Sequence, residues 1–379
     1  MNLRLDGNYA LGTDINCAET RTWNNGAGFD PIGNCVLGNA CASSNHTYDF
    51  NGNLDGRNFR ILNLYIYRPT STDVGLFEVI SPLSTISNLG IIDNNITGQM
   101  LVGSLAGENY GIVRNNYSTG RVRGGNYVGG LLGYNDRGTV SRNYTTGITI
   151  GTIDYTGGLI GYDTRGVITN NYTTGATTGY TRTGGLLGIA SLSTIQNSYN
   201  TGQVIGSYWY TGGIVGYLKN SSLINSYNRG DVNLMLGGVD SLGPGGITGL
   251  IYDSNVTNCY NSGNVYTIKN AAGGITSAIW KQVNKSIITN TFSTGKVFGP
   301  TGDVNGLIDI VPAASLTATN LWWYDQAGDN ANACGTTCSI STTDANFYDS
   351  TQAVYTQTPI WNDGNWVWSA SALPTLVWQ

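Results

Sequence analysis

Histidine is almost missing from this sequence: there is one, His46, among 379 residues. Ser/His/Asp and Cys/His catalytic sites both need a histidine with a partner, and His46 stands beside Asn45 in a loop without one, so it reads as a surface residue. Zinc binding fails on the same scarcity. Charged residues make up only 11% of the chain, the net charge is −5, and lysines and arginines form no cluster. Phosphate neutralisation needs a concentrated basic patch, so nucleic acid is not an expected partner. No apolar run approaches the ~18 residues of a membrane-spanning helix. No Asp-x-Asp-x-Asp run offers a calcium loop, no cofactor motif is present, and no segment keeps apolar residues at a spacing of 3.6. The start, MNLRLDGNYALGTDIN, lacks the basic residues and apolar core of a signal peptide. Met1 is therefore expected to be an added start on a segment of a longer exported protein.

Glycine, by contrast, is abundant, with 54 residues, and much of it is periodic. The runs GGLLGYNDRGTVSRNYTTG from Gly129, GGLIGYDTRGVITNNYTTG from Gly157, GGLLGIASLSTIQNSYNTG from Gly184 and GGIVGYLKNSSLINSYNRG from Gly212 recur every 27 or 28 residues. A period of this length means one supersecondary unit stacked on copies of itself. Three ladders cross the units. One is aromatic: Tyr117, Tyr144, Tyr172, Tyr199, Tyr227, Tyr260 and Phe292. Two residues earlier runs a row of asparagines, Asn115, Asn170, Asn197, Asn225, Asn258 and Asn290, with Arg142 interrupting it. The third is Val122, Thr149, Thr177, Val204, Val232, Val265 and Val297.

Spacing by two is the period of a strand, which predicts that Val113, Asn115 and Tyr117 share one face. Short strands separated by glycine corners at positive φ then predict an all-β fold, a parallel β-helix (β-solenoid) of about ten coils with irregular ends. Residues 1–60 read as an N-terminal cap and first coil, 61–320 as the repeats, and 321–379 as a cap. That cap holds Trp322, Trp323, Trp361, Trp366, Trp368 and Trp378; the stretch from Trp361 to Trp378 is expected to cover the last coil. Longer spacings after Tyr227 and Tyr260 predict outward loops around Met235 to Pro244 and Trp280 to Lys285.

Among the six cysteines, Cys35 with Cys41 and Cys334 with Cys338 are plausible loop-closing disulfides, which would place the chain in an oxidising compartment. Cys17 competes for Cys35 or Cys41, and Cys259 reads as a free thiol. Asp136 and Asp163, in corners of adjacent coils, are the candidate carboxylate pair for glycoside hydrolysis, although turn chemistry also accounts for them. A more promising surface precedes each Gly-Gly. Tyr127, Tyr155, Tyr180 and the run Tyr208-Trp209-Tyr210 would line up as a strip of rings, interspersed with Asn, Thr and Arg182, on which the C–H faces of sugars could stack. Beside the apolar row Leu131, Leu159, Leu186 and Ile214 lies a second, Leu132, Ile160, Leu187 and Val215. Strand parity turns the second row outward as a self-association stripe, unless a corner turns both inward.

The lead-in LDGNYALGTDIN from Leu5, Phe29-Asp30-Pro31-Ile32-Gly33 and FNGNLDG from Phe50 precede these repeats. Together with the GGLLGY...NYTTG unit, and across roughly residues 3 to 310, they resemble the GLUG-motif proteins, large bacterial surface and secreted proteins that include relatives of filamentous haemagglutinin. The resemblance implies an exported, adhesin-type protein and brings no catalytic residues with it. The expected function is therefore a structural and adhesive segment, extracellular or at the cell surface, with environmental or host glycans as partners. The alternatives are a polysaccharide lyase or hydrolase and a subunit of a self-assembling filament.

Overall fold

The structure, a computed structural model, describes residues 4–33, 49–236, 242–269, 271–300, 304–310, 315–323, 332–334, 366–369 and 372–377. It is a parallel β-solenoid of about nine turns. The described residues contain one helical segment, the kinked 3-10 stretch Ala18–Gly26. At a rung spacing of about 4.8 Å the rod is on the order of 40 Å long.

One coil shows how all are built. Strands Leu132–Asp136, Thr139–Ser141, Tyr144–Thr145 and Ile148–Gly157 follow one another. Each pairs in parallel with its counterpart one coil on: Leu132 with Ile160, Val140 with Ile168, Tyr144 with Tyr172, Thr149 with Thr177. The core is a set of rows running along the axis, such as Val113, Val140, Ile168, Ile195, Leu223, Val256 and Ile288, all fully buried. The row from Val122 to Val297 is buried as well. Such rows remove apolar surface from water at each rung, contributing roughly 25 cal/mol per Å².

The corners differ from expectation in an instructive way. The repeat glycines do not supply positive φ; among the described residues only Gly26, Gly28, Gly33 and Gly120 have it. Left-handed corners are instead held by side-chain-bearing residues. One corner row is Asn88, Asn115, Arg142, Asn170, Asn197, Asn225, Asn258, Asn290 and Asn320; a second includes Arg137, Arg165, Leu192, Asn220 and Asp253. The glycines are required because there is no room for a side chain. A Cβ on Gly158 would lie 2.1 Å from the carbonyl oxygen of Gly185, and one on Gly188 would lie 2.7 Å from the backbone of Tyr155.

This also corrects the strand parity around Asn115. The strand Ile112–Arg114 ends before it, and the left-handed turn at Asn115 points the next residue, Asn116, into the interior. Two polar ladders therefore exist where one was expected. Along the corner row, Nδ2 donates to Oδ1 of the neighbouring Asn from Asn115 to Asn88 (3.0 Å), and in a buried stretch from Asn258 to Asn225 (3.0 Å) and from Asn290 to Asn258 (3.1 Å). Inside, Asn143 Oδ1 accepts the backbone N–H of Asn116, and Asn171 Oδ1 accepts that of Asn143, both at 2.9 Å. Ser198, Ser226, Cys259 and Thr291 continue the inner row. The ladder meets the demand that buried polar groups be hydrogen-bonded.

The exposed aliphatic stripe does not form. Leu132, Ile160, Leu187 and Val215 are buried as completely as Leu131, Leu159, Leu186 and Ile214, because the chain bends between the two rows and turns both inward. The outward loop at 281–285 is present, exposed throughout, with Asp253 accepting the N–H groups of Gln282 (2.9 Å) and Val283 (3.0 Å). In the other, Met235 and Leu236 are exposed.

Of the tryptophan-rich stretch from Trp361 to Trp378, residues 366–369 and 372–377 are described. Strands Trp366–Ser369 and Ala372–Leu376 form an antiparallel hairpin. It lies against the flank of the aromatic ladder, with Trp366 packed on Tyr227 and Tyr260 (6.3 and 5.9 Å between ring centroids). Trp322 extends the ladder past Phe292, and Trp323 packs into the core of the last coil. Trp361, Trp378 and the side chain of Trp368 lie outside the described residues, as do His46, Cys35, Cys41, Cys338 and the side chain of Cys334. Cys17 and Cys259 carry free thiols; burial pushes the Cys259 thiol up to about 12.

Candidate functional site

Two aromatic columns run along the rod. In the first, rings of Tyr117, Tyr144, Tyr172, Tyr199, Tyr227, Tyr260 and Phe292 stack at 4.7–5.0 Å with interplanar angles of 2–9°. Its upper members are half-buried, whereas Tyr227, Tyr260 and Phe292 are covered by Trp366, Leu373 and Leu376 of the hairpin. Arg229 pins the cover by donating to the carbonyls of Leu373 (3.1 Å) and Pro374 (3.2 Å), and the Tyr260 hydroxyl donates to Pro374 at 2.6 Å. The guanidinium also lies over the Tyr227 ring, 4.9 Å from its centroid.

The second column is the surface preceding each Gly-Gly. Tyr127, Tyr155 and Tyr210 occupy the third left-handed corner row, at φ 54°, 56° and 51°. Tyr180 is not in that row. Arg182 is, at φ 46°, and its guanidinium sits between the Tyr155 ring (5.1 Å) and the Tyr210 ring (5.5 Å). Tyr127 stacks on Tyr155 at 4.8 Å, so four consecutive coils form one mixed stack. A left-handed backbone at a bulky residue costs roughly 1–3 kcal/mol, and here it aims four large side chains outward in register. Tyr180 and Tyr208 stack beside it at 5.6 Å, and Trp209 leans on Tyr208 at 4.8 Å.

A further row, which the sequence reading did not pick out, completes the patch. Tyr134, Tyr162 and Tyr217 follow the last glycine of the Gly-Gly runs from Gly129, Gly157 and Gly212, with Ile189 at that place in the run from Gly184, and face the first row. Its rings are tilted, 42° between Tyr134 and Tyr162 and 70° between Tyr155 and Tyr162, so ring faces as well as edges contribute to the half-buried surface. Burial raises the phenols of Tyr127, Tyr155, Tyr162 and Tyr210, and that of Tyr217 to about 12, leaving neutral hydroxyls at physiological pH.

The one-residue difference between 27- and 28-residue coils falls here. Register shifts interrupt the ladder between Gly124 and Asn126, Ile150 and Asp154, and Gly179 and Thr181, each immediately before the corner residue. A bulge at this point re-aims the side chains that follow it.

The carboxylates do not form the pair expected of a glycosidase. Asp163 is completely buried, its Oδ1 accepts Nδ2 of Asn135 at 2.5 Å, and burial raises its pKa to about 7. Asp136 is held by Arg165, whose Nη2 lies 2.8 and 2.9 Å from its two oxygens. One carboxyl belongs to the interior and the other to an ion pair, so they do not flank a groove. Another acidic group sits at the start of the same corner row: Asp73, at φ 57°, is buried beside Glu78 and Glu108. Burial first, then the neighbouring carboxylates, raise Asp73 to about 8. Among the described residues no three His, Cys, Asp or Glu side chains are grouped to hold a metal ion, and no helix is long and apolar enough to cross a membrane.

No family model matches the chain. It is 34% identical over 144 residues to Halomucin of Haloquadratum walsbyi, a match covering 38% of this chain and 2% of that protein. It is 30% identical to a protein named as a Gly-rich membrane protein of Evansella cellulosilytica, covering 31% of this chain and 16% of the relative. The chain thus spans a small fraction of the curated relatives it matches. A solved structure described as an immunoglobulin A1 protease of Bacteroides ovatus aligns over 98% of this chain and 86% of its own length, at 15% identity and a TM-score of 0.41. No functional residue is carried over from it.

Proposed function

We propose that this chain is an extracellular or cell-surface β-solenoid segment, adhesin-type in character, that binds glycans on the tyrosine patch formed by the Tyr127–Tyr155–Arg182–Tyr210 stack and the tilted Tyr134, Tyr162 and Tyr217. The observation that carries this reading is the placing of three tyrosines, with Arg182 between their rings, on strained left-handed backbone along one face, where the Asn88–Asn320 corner row holds Asn at every coil but that of Arg142. Strain kept at a row of large side chains is a mark of function. Ring faces and neutral phenol hydroxyls offer a sugar its two needs, an apolar platform and hydrogen-bond partners. Low charge and a surface of Asn, Thr and Tyr support an exported setting, as do the names of the two partial relatives.

The test is a glycan-array screen of the chain beside a Tyr155→Ala/Tyr210→Ala variant with unchanged circular dichroism. Specific binding that drops at least tenfold in the variant is expected. Binding equal in the two proteins would place recognition elsewhere.

A further inference from the structure

We infer that the glycan taken by the tyrosine patch is a neutral, hydroxyl-rich polysaccharide and not a uronic, sulfated or sialylated one; this rests on the patch being a glycan site. The inference comes from how its cations are held. Arg182, the one charged member of the stack, is paired with Asp154 of the preceding coil; the two side chains are only 24% and 18% exposed. Asp154 is held in turn by the Thr181 hydroxyl and by the backbone N–H of Tyr155 (2.9 Å). The guanidinium faces are covered by Tyr155 and Tyr210. On the flank, Arg165 grips Asp136 through three hydrogen bonds of 2.8–3.0 Å, and Arg137 lies 3.5 Å from the same carboxylate.

An anion approaching this face would meet a carboxylate at each of these arginines. Binding it by a bidentate contact would require a largely buried ion pair to be broken, which leaves Asp154 uncompensated. A neutral sugar imposes no such exchange. It can lie against the rings and use the phenol hydroxyls together with the guanidinium edge, with the ion pair intact.

The experiment is affinity electrophoresis of the full chain through gels containing dextran, β-1,3-glucan or xyloglucan, and through gels containing polygalacturonate or alginate, each at low and at high salt. Retardation by at least one neutral polymer, changing less than twofold with salt and lost in Tyr155→Ala/Tyr210→Ala, is the expected result. Retardation by the anionic polymers alone, falling with salt, would overturn neutrality and leave the glycan reading standing. No retardation by any polymer would overturn both. A second variant keeps the patch folded while changing its charge: Asp154→Asn unpairs Arg182 and should gain at least a threefold, salt-sensitive retardation by polygalacturonate. If that variant behaves like the parent, the pairing does not set selectivity.

Discussion

The two aromatic columns share a backbone and a rung spacing but treat their rings in opposite ways. In the ladder from Tyr117 to Phe292 each ring covers the face of the next, and the lower members lie under the hairpin. The rings spend their stacking on the protein itself, at about 0.5–1.5 kcal/mol per pair beyond area burial. In the patch, an arginine breaks the stack and the second row tilts, so that edges, faces and hydroxyls are turned outward. A repeat protein builds its rod where the register is uniform, and places chemistry where that uniformity is interrupted.

The contrast is broken most severely at Tyr260. Tyr260→Ala removes two stacking partners, the Arg229 contacts and the bond to Pro374. A loss of about 3–5 kcal/mol is expected, read by urea denaturation. A change below about 1 kcal/mol would show that the covered ladder does not stabilise the rod.

Of intermediate size is a pH effect at the head of the corner row. The carboxyl of Asp73 is raised in the folded protein, so the folded state holds its proton more tightly than the unfolded chain does. Stability is then greatest below the unfolded value and falls as pH rises from about 4 toward about 8. The melting temperature should decline by a few degrees across that window, with Glu78 and Glu108 adding repulsion, and Asp73→Asn should flatten the decline. A melting temperature independent of pH in the parent would remove the effect.

The smallest stability change is expected where the binding change is largest. Tyr155→Gly loses a ring but relieves a left-handed corner that favours glycine, so the two effects offset to within about 1 kcal/mol. Glycan binding should nevertheless disappear. A large destabilisation would mean that Tyr155 belongs with the structural ladder.

The repeat made the architecture legible. Period and parity identified the coil, the buried valine rows and the aromatic ladder, since all follow from residues that recur in identical surroundings. Parity failed where the chain turned within a run that alternates in sequence. Asn115 looked like a strand residue because a period of two passes through it, yet its positive φ moves Asn116 inside. A bend at 130–131, without a left-handed residue, lies behind Leu131 and Leu132 both facing inward. Arg182 was expected between the rings, and its place within the stack was missed because Tyr180, two residues earlier, has the expected chemistry while Arg182 has the register. The hairpin contact is long-range, and nothing in Trp366 names Tyr227 as its neighbour.

The bulges ahead of the corner row have a consequence for how the protein can change. A residue gained or lost between the Val122 row and the corner is absorbed within the same coil, and the ladders on either side keep their pairing. Insertions and deletions are therefore tolerated best in the segment that presents the patch. The rod can serve as a constant chassis on which a directed library at 150–154 and 205–209 varies the recognition surface without renegotiating the fold.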